Sequence, residues 1–203
     1  WVGTQGDGLY CYDSADGMWN GIGKHFTTEN GLVSNRIHAL LESRDGTIWV
    51  GAEGNLNCLC RFDGKAFEAI LTPHGLISRL FEDCHGRIWM GGWRGSGLSC
   101  YDAGQFVTYT MEDGLPGNRI QSIVEDDAGN LWVGTQWGLC YFDGKRFITY
   151  GKERGLTSLH HQWSTKDTTG QLWFGTHGGL YHYDGVHFQW LTTADGLPSN
   201  SIT

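Results

Sequence analysis

Residues 113–150 read DGLPGNRIQSIVEDDAGNLWVGTQWGLCYFDGKRFITY, and four short strands are legible in them. Ile120–Glu125 (IQSIVE) is apolar and β-branched. In the Asp126-Asp127-Ala128-Gly129 that follows, aspartate supports a tight turn and glycine tolerates positive φ. Leu131–Thr135 (LWVGT) forms the second strand. Gln136, Trp137 and Gly138 link it to a third at 139–142 (LCYF). Asp143-Gly144 makes a hairpin turn, and Phe147–Tyr150 (FITY) is the fourth strand. No stretch shows the 3.6-residue period of a helix.

The unit recurs along the chain. Trp, one apolar residue and Gly stand together at Trp1, Trp49, Trp89, Trp132 and Trp173, at steps of 48, 40, 43 and 41 residues. Before four of these tryptophans the turn reads DGTIW, HGRIW, AGNLW and TGQLW; Gly-Leu recurs at Gly31, Gly75, Gly114, Gly155 and Gly196. A period of this length marks a repeat architecture. Four antiparallel strands in about 42 residues is one blade of a β-propeller. The fold class is therefore all-β: a β-propeller of four-stranded blades, five repeats in one array over 1–203, at roughly 1–35, 36–76, 77–117, 118–158 and 159–199. The chain opens inside a motif and closes inside another, so the expectation is an arc of a larger, seven-bladed ring. A five-bladed ring closed by exchange of the end strands is the alternative. The motif tryptophans should pack between neighbouring blades, with their glycines allowing close backbone approach.

Composition fits this reading. Glycine is 32 of 203 residues, more than twice the usual share of about 7%, and it recurs at the turns. Net charge is −8 with 14 Lys+Arg, whereas a non-specific nucleic-acid binder wants a basic face; no nucleic-acid partner is expected. No apolar run approaches the ~20 residues of a membrane helix. Cys11, Cys60, Cys100 and Cys140 fall just before the Asp that closes a strand, which suits small buried side chains, although an even count of six leaves disulfides open. Cys58-x-Cys60 and Cys84-His85 lack structural zinc spacing. Neither cofactor nor metal is expected.

The combination DGLPxNxI, EDxxGxLWVGT, GLxx[YF]DG and FxxY resembles the two-component regulator propeller repeat, over essentially the whole chain. Members of that family are mostly periplasmic sensor regions of hybrid histidine kinases, many with two seven-bladed propellers, an immunoglobulin-like domain and a membrane helix. The resemblance implies a periplasmic, non-catalytic sensor of an oligosaccharide or another small polar ligand. It also implies a membrane reached only through the rest of the receptor, and a homodimer formed the same way. A propeller lyase or lactone hydrolase and a plain interaction scaffold are the alternatives. The repeats also depart from the family pattern. The second crossing, HGLISRLFED from His74, is short. The first repeat carries about nine extra residues between Asp13 and Phe26. The fourth crossing puts His160, His161 and Trp163 where other repeats have Arg, Ile and Ser.

In a propeller the crossing loops and the loops between second and third strands share one face around the channel. Crossings bring Asn35, Arg36, Asn118, Arg119, His160 and His161 to it; the other loops bring Glu53, Trp93, Arg94, Gln136, Trp137 and His177. Trp93 and Trp137 lie outside the Trp-x-Gly position, and exposed indoles with amides and guanidinium forks beside them suit sugar rings. His160 or His161 is expected to approach His177. Trp19 and Trp190 lie elsewhere and are expected to pack locally. A catalytic reading would have to rest on Glu53 with these three histidines.

Overall fold

A computed structural model describes residues 1–12, 23–53, 58–73, 76–92, 95–151, 156 and 160–202. The extended first hairpin tip with Trp19, the start of the second crossing at His74, and Trp93 and Arg94 lie outside the described residues. The first sheet holds β1 (Val2–Gly3), β2 (Leu9–Cys11) and β3 (Lys24–Phe26). The second holds β4 (Arg36–Glu42), β5 (Ile48–Glu53), β6 (Cys58–Phe62) and β7 (Phe67–Leu71). The third holds β8 (Arg79–Glu82), β9 (Ile88–Gly91), β10 (Leu98–Asp102) and β11 (Gln105–Tyr109). The fourth holds β12 (Ile120–Glu125), β13 (Leu131–Thr135), β14 (Gly138–Phe142) and β15 (Phe147–Tyr150). The fifth holds β16 (His161–Lys166), β17 (Leu172–Thr176), β18 (Gly179–Tyr183) and β19 (Phe188–Leu191). Every pairing is antiparallel between consecutive strands.

The sheets follow one another through their inner strands, in the order β1, β4, β8, β12, β16. They form an open arc, as the larger-ring expectation requires; the closed five-bladed alternative does not hold. Among the described residues the first sheet has three strands, and Ser201 and Ile202 add none to it. Ile202 instead lies beside the fifth sheet, its N–H donating to the Thr176 carbonyl at 2.9 Å, as Ile37 does to Thr4 at 2.8 Å.

The Trp-x-Gly strand carries the core. Along β5, β9 and β13 nearly every residue is buried. Trp132 meets Tyr141 and Tyr150 of its own sheet and Phe174, Tyr183 and Phe188 of the next. Trp89 reaches Phe142, Trp49 reaches Tyr101, and Trp1 reaches Phe62, each one sheet ahead. The motif glycine makes room for the next inner strand: a Cβ on Gly51 would stand 2.7 Å from the Ile77 carbonyl oxygen.

The indole N–H is also fixed in Trp49, Trp89, Trp132 and Trp173. The turn aspartate six residues earlier accepts it, at 2.7 Å for Trp89 and Asp83, 3.1 Å for Trp132 and Asp126, and 2.8 Å for Trp173 and Asp167. In the second sheet the Ser43 hydroxyl does this work at 3.2 Å. Burial disfavours the Asp83 carboxylate, yet bonds from Trp89 and Arg87 outweigh it and hold the pKa below the ordinary value. Cys60, Cys100 and Cys140 are buried, and burial pushes Cys100 up to about 11.

Neighbouring sheets are latched at the turn end. Glu82 accepts the Arg44 backbone N–H of the preceding sheet at 2.9 Å, and Glu125 accepts that of Cys84 at 3.0 Å. At the last seam Lys166 takes the glutamate's place and meets the Asp127 carboxylate at 3.1 Å.

The crossings hold a feature the strand reading lacks. Single 3-10 turns occupy Thr28–Asn30, Met111–Asp113 and Thr193–Asp195, each entered through a threonine capping box and closed by a glycine in the left-handed region.

Candidate functional site

In an antiparallel four-strand meander, the crossing and the second-to-third loop lie at the same end of the sheet. A short hydrogen-bonded frame builds that end. The threonine of the Trp-x-Gly-Thr strand closes its loop, Thr135 Oγ1 donating to the Gly138 carbonyl at 3.0 Å and Thr176 Oγ1 to Gly179 at 2.8 Å. The Thr135 hydroxyl also accepts the Trp137 N–H at 3.2 Å. Gln136 reaches across to the crossing, where its Oε1 accepts the Arg119 N–H at 2.9 Å. Gly117 packs under both, since a Cβ there would stand 2.8 Å from Trp137 Cδ1 and 2.9 Å from Gln136 Oε1.

This frame leaves Trp137 57% exposed, a large apolar surface on a loop. Its ring lies 6.0 Å from His160, whose ring lies 5.9 Å from His177. His177 continues the chain through its two nitrogens, to Gln162 Nε2 at 2.8 Å and Ser201 Oγ at 3.2 Å. Indole, two imidazoles, an amide and a hydroxyl thus run from the fourth sheet to the chain's end. At the second sheet, Glu53 lies 3.6 Å from Arg36 and 3.3 Å from His38.

The structure brings His160, His177, Gln136, Trp137 and Arg119 together, and sets Arg36 with Glu53 at the second sheet. Glu53 is occupied by Arg36 and His38, so the set of Glu53 with the fifth-sheet histidines does not assemble. His161 turns the other way. It is 1% exposed, lies edge-on to Phe174 at 6.3 Å and occupies the seam position that Ile37 and Ile120 fill elsewhere. Neither of its ring nitrogens finds a partner among the described groups, nor does the neighbouring Ser122 hydroxyl. Burial, with a smaller push from His160, lowers its pKa to about 4.

Asn35 and Asn118 also work inward: each side-chain oxygen accepts the backbone N–H seven residues earlier, of Thr28 and Met111, at 2.8 Å. Trp190 packs locally, stacked on Tyr181 at 6.1 Å with its N–H on the Gly178 carbonyl. Gln162, Ser201 and His38 were missed by sequence reasoning. Gln162 and His38 sit where the register of the inner strand shifts, so simple alternation carried no signal for them.

Several concave volumes lie at the opposite, turn end. One of about 400 Å³ is bounded by Arg44, Glu82, Glu125 and Lys166 of the latches. One of about 330 Å³ lies between the fourth and fifth sheets against Asp127, Gln171, Tyr183 and Asp184. Among the described residues no three His, Cys, Asp or Glu groups converge as metal ligands.

Sheet order, inter-sheet tryptophans and a loop-built face define a β-propeller arc. The chain resembles the two-component regulator propeller family, whose model matches residues 31–54 and 114–137. It is similar to a structure described as the extracellular domain of the hybrid two component system BT3049 from B. thetaiotaomicron. That likeness has a TM-score of 0.78 and 24% identity, over 98% of this chain and 27% of that one. The corresponding domain of BT4673 from B. thetaiotaomicron gives a TM-score of 0.74 and 26% identity, over 96% of this chain and 27% of that one. The chain thus spans about a quarter of the length of these domains. A virginiamycin B lyase from Staphylococcus aureus shares the fold, with a TM-score of 0.65 and 14% identity over 76% of this chain and 55% of that one. No curated protein matches the chain.

Proposed function

We propose that this chain is the extracytoplasmic ligand-sensing part of a two-component signalling receptor, and that an oligosaccharide or other small polar ligand binds on the channel face. The observation that carries the reading is Trp137. It is a large apolar ring held in solvent by a hydrogen-bonded frame, with an imidazole and an amide beside it. A sugar presents an apolar C–H face that stacks on such a ring and hydroxyls that bond to such a rim. The family match and the likeness to extracellular domains of hybrid two component systems support the sensing role. No helix among the described residues is long and apolar enough to cross a membrane; anchoring belongs to the parent receptor in this reading.

The reading is non-catalytic. Among the described residues, the ion pairs that histidines make with carboxylates are His38 with Glu53 and His187 with Asp184; His160 and His177 face an indole, an amide and a hydroxyl, without the oriented base that general acid–base chemistry needs. Signalling requires that ligand bind two receptor arrangements unequally, and a packed array transmits such a bias more readily through contacts between subunits than by deforming itself.

Calorimetry with an oligosaccharide panel tests this. Trp137→Ala is expected to lose roughly tenfold or more in affinity, the scale of one lost stacking platform, while melting within a few degrees of the parent, because the ring is exposed. Unchanged affinity removes the site assignment. Turnover of the bound sugar, abolished by His177→Ala, would replace the sensor reading with an enzymatic one.

A further inference from the structure

The arginines of the channel face are unevenly matched. Arg36 has Glu53 at 3.6 Å. Arg79, the first residue of β8, has no carboxylate partner among the described residues. Its Nε donates to the Gln121 carbonyl and its Nη1 to the Ser78 carbonyl at 2.7 Å. Carbonyl dipoles fix the position of this guanidinium without neutralising it, and its partial burial alone lowers its pKa. Arg119 is exposed, its backbone pinned by Gln136, and its side chain too meets no carboxylate among the described residues.

The two residues are linked through the start of the fourth sheet. Arg119 lies in the crossing immediately before β12 and two residues from Gln121, within about 7 Å of it along the backbone. The Gln121 carbonyl holds Arg79, and the Gln136 that holds Arg119 precedes Trp137. The Arg79 guanidinium, the Arg119 backbone and the exposed indole are therefore joined by consecutive short links. His160 and His177 continue the patch without adding acid. In a chain of net charge −8, a local excess of positive charge at a channel mouth focuses an attractive potential on anions. A guanidinium fork with free N–H groups matches a carboxylate better than a hydroxyl.

We infer that the ligand of this face carries a carboxylate: an acidic sugar whose ring stacks on Trp137 while Arg79 and Arg119 take its charge. The inference rests on the sensor reading and narrows its ligand class. Arg119 meets the ligand from solvent and steers it. Arg79, already stripped of much of its water and held by two carbonyls, loses little further hydration or freedom on binding, so it carries more of the discrimination between charged and neutral sugars.

Calorimetry with trisaccharides of galacturonate and of glucuronate, each beside its methyl ester, tests the inference. Esterification keeps rings and hydroxyls and removes only the charge. The acid is expected to bind roughly tenfold or more tightly than the ester, and to weaken with added salt while the ester does not. Arg79→Gln and Arg119→Gln should each bring the acid toward the ester's affinity and leave the ester unchanged; Arg119 is exposed, so that variant keeps the fold even if the first does not. Equal binding of acid and ester, lost together in Trp137→Ala, overturns the charged ligand and leaves the sensor reading intact. Failure of every sugar, charged and neutral, overturns both.

Discussion

At the scale of single residues, His161 shows how one substitution changes a seam. Ile37 and Ile120 fill this position elsewhere; here an imidazole is buried with neither nitrogen partnered among the described residues. An unsatisfied buried polar group costs about 1–3 kcal/mol, so His161→Ile is expected to raise the melting temperature at neutral pH. Its pKa falls from 6.5 to about 4 on folding. The unfolded chain therefore takes up the proton first: the stability of the neutral form is present above pH 6.5 and drains away as pH falls through about 4. The total is roughly 3 kcal/mol. Melting curves over that range should show the slope in the parent and its loss in His161→Ile. The sequence marked His161 as a departure but placed it beside His160 on the ligand face. The isoleucines at equivalent positions already identified a core site, and alternation along the strand sends adjacent residues to opposite sides.

At the scale of elements, the Trp-x-Gly strand and the turn before it form one unit. The strand supplies the ring, and the turn supplies the acceptor for its N–H. Trp132 is 1% exposed and touches five aromatic rings; Trp132→Ala should cost about 3–5 kcal/mol, measurable by chemical denaturation. These strands were legible because each is short, apolar and bounded by Asp and Gly; within the fourth sheet the expected and observed ranges differ only by the inclusion of Gly138. The 3-10 turns were not, since three residues are too few to register a helical period. Their signature is instead a threonine with Asn or Asp three residues later and glycine after it, at Thr27, Thr110 and Thr192. The same local bonding explains why Asn35 and Asn118, polar and on the expected face, hold loops together. Trp137 stood out in the sequence because it breaks a repeat rule, and the structure leaves it exposed rather than in the core.

At the scale of the whole molecule, each sheet packs mainly on its two neighbours, as in other repeat arrays. Damage should then depend on position. Trp89→Ala, in the third sheet, is expected to lower the melting of the entire array, whereas Trp173→Ala should loosen chiefly the fifth sheet. Hydrogen exchange distinguishes them: protection lost throughout in the first case, and confined to β16–β19 in the second. Equal loss everywhere in both would show that the array melts as one block. The arc itself was readable from the motif count, but the way sheets join was not, because the joining acceptors are ordinary glutamates at strand ends. Glu82 and Glu125 bind a neighbour's backbone N–H, a group every residue except proline owns. Such a junction places almost no demand on the neighbour's sequence, so sheets joined this way can be duplicated or exchanged by recombination and still fit. The seam between Asp127 and Lys166 lacks that freedom. Its two residues form a matched pair that must be inherited together, which makes it the one described junction of this kind where a transplanted sheet arrives without its partner.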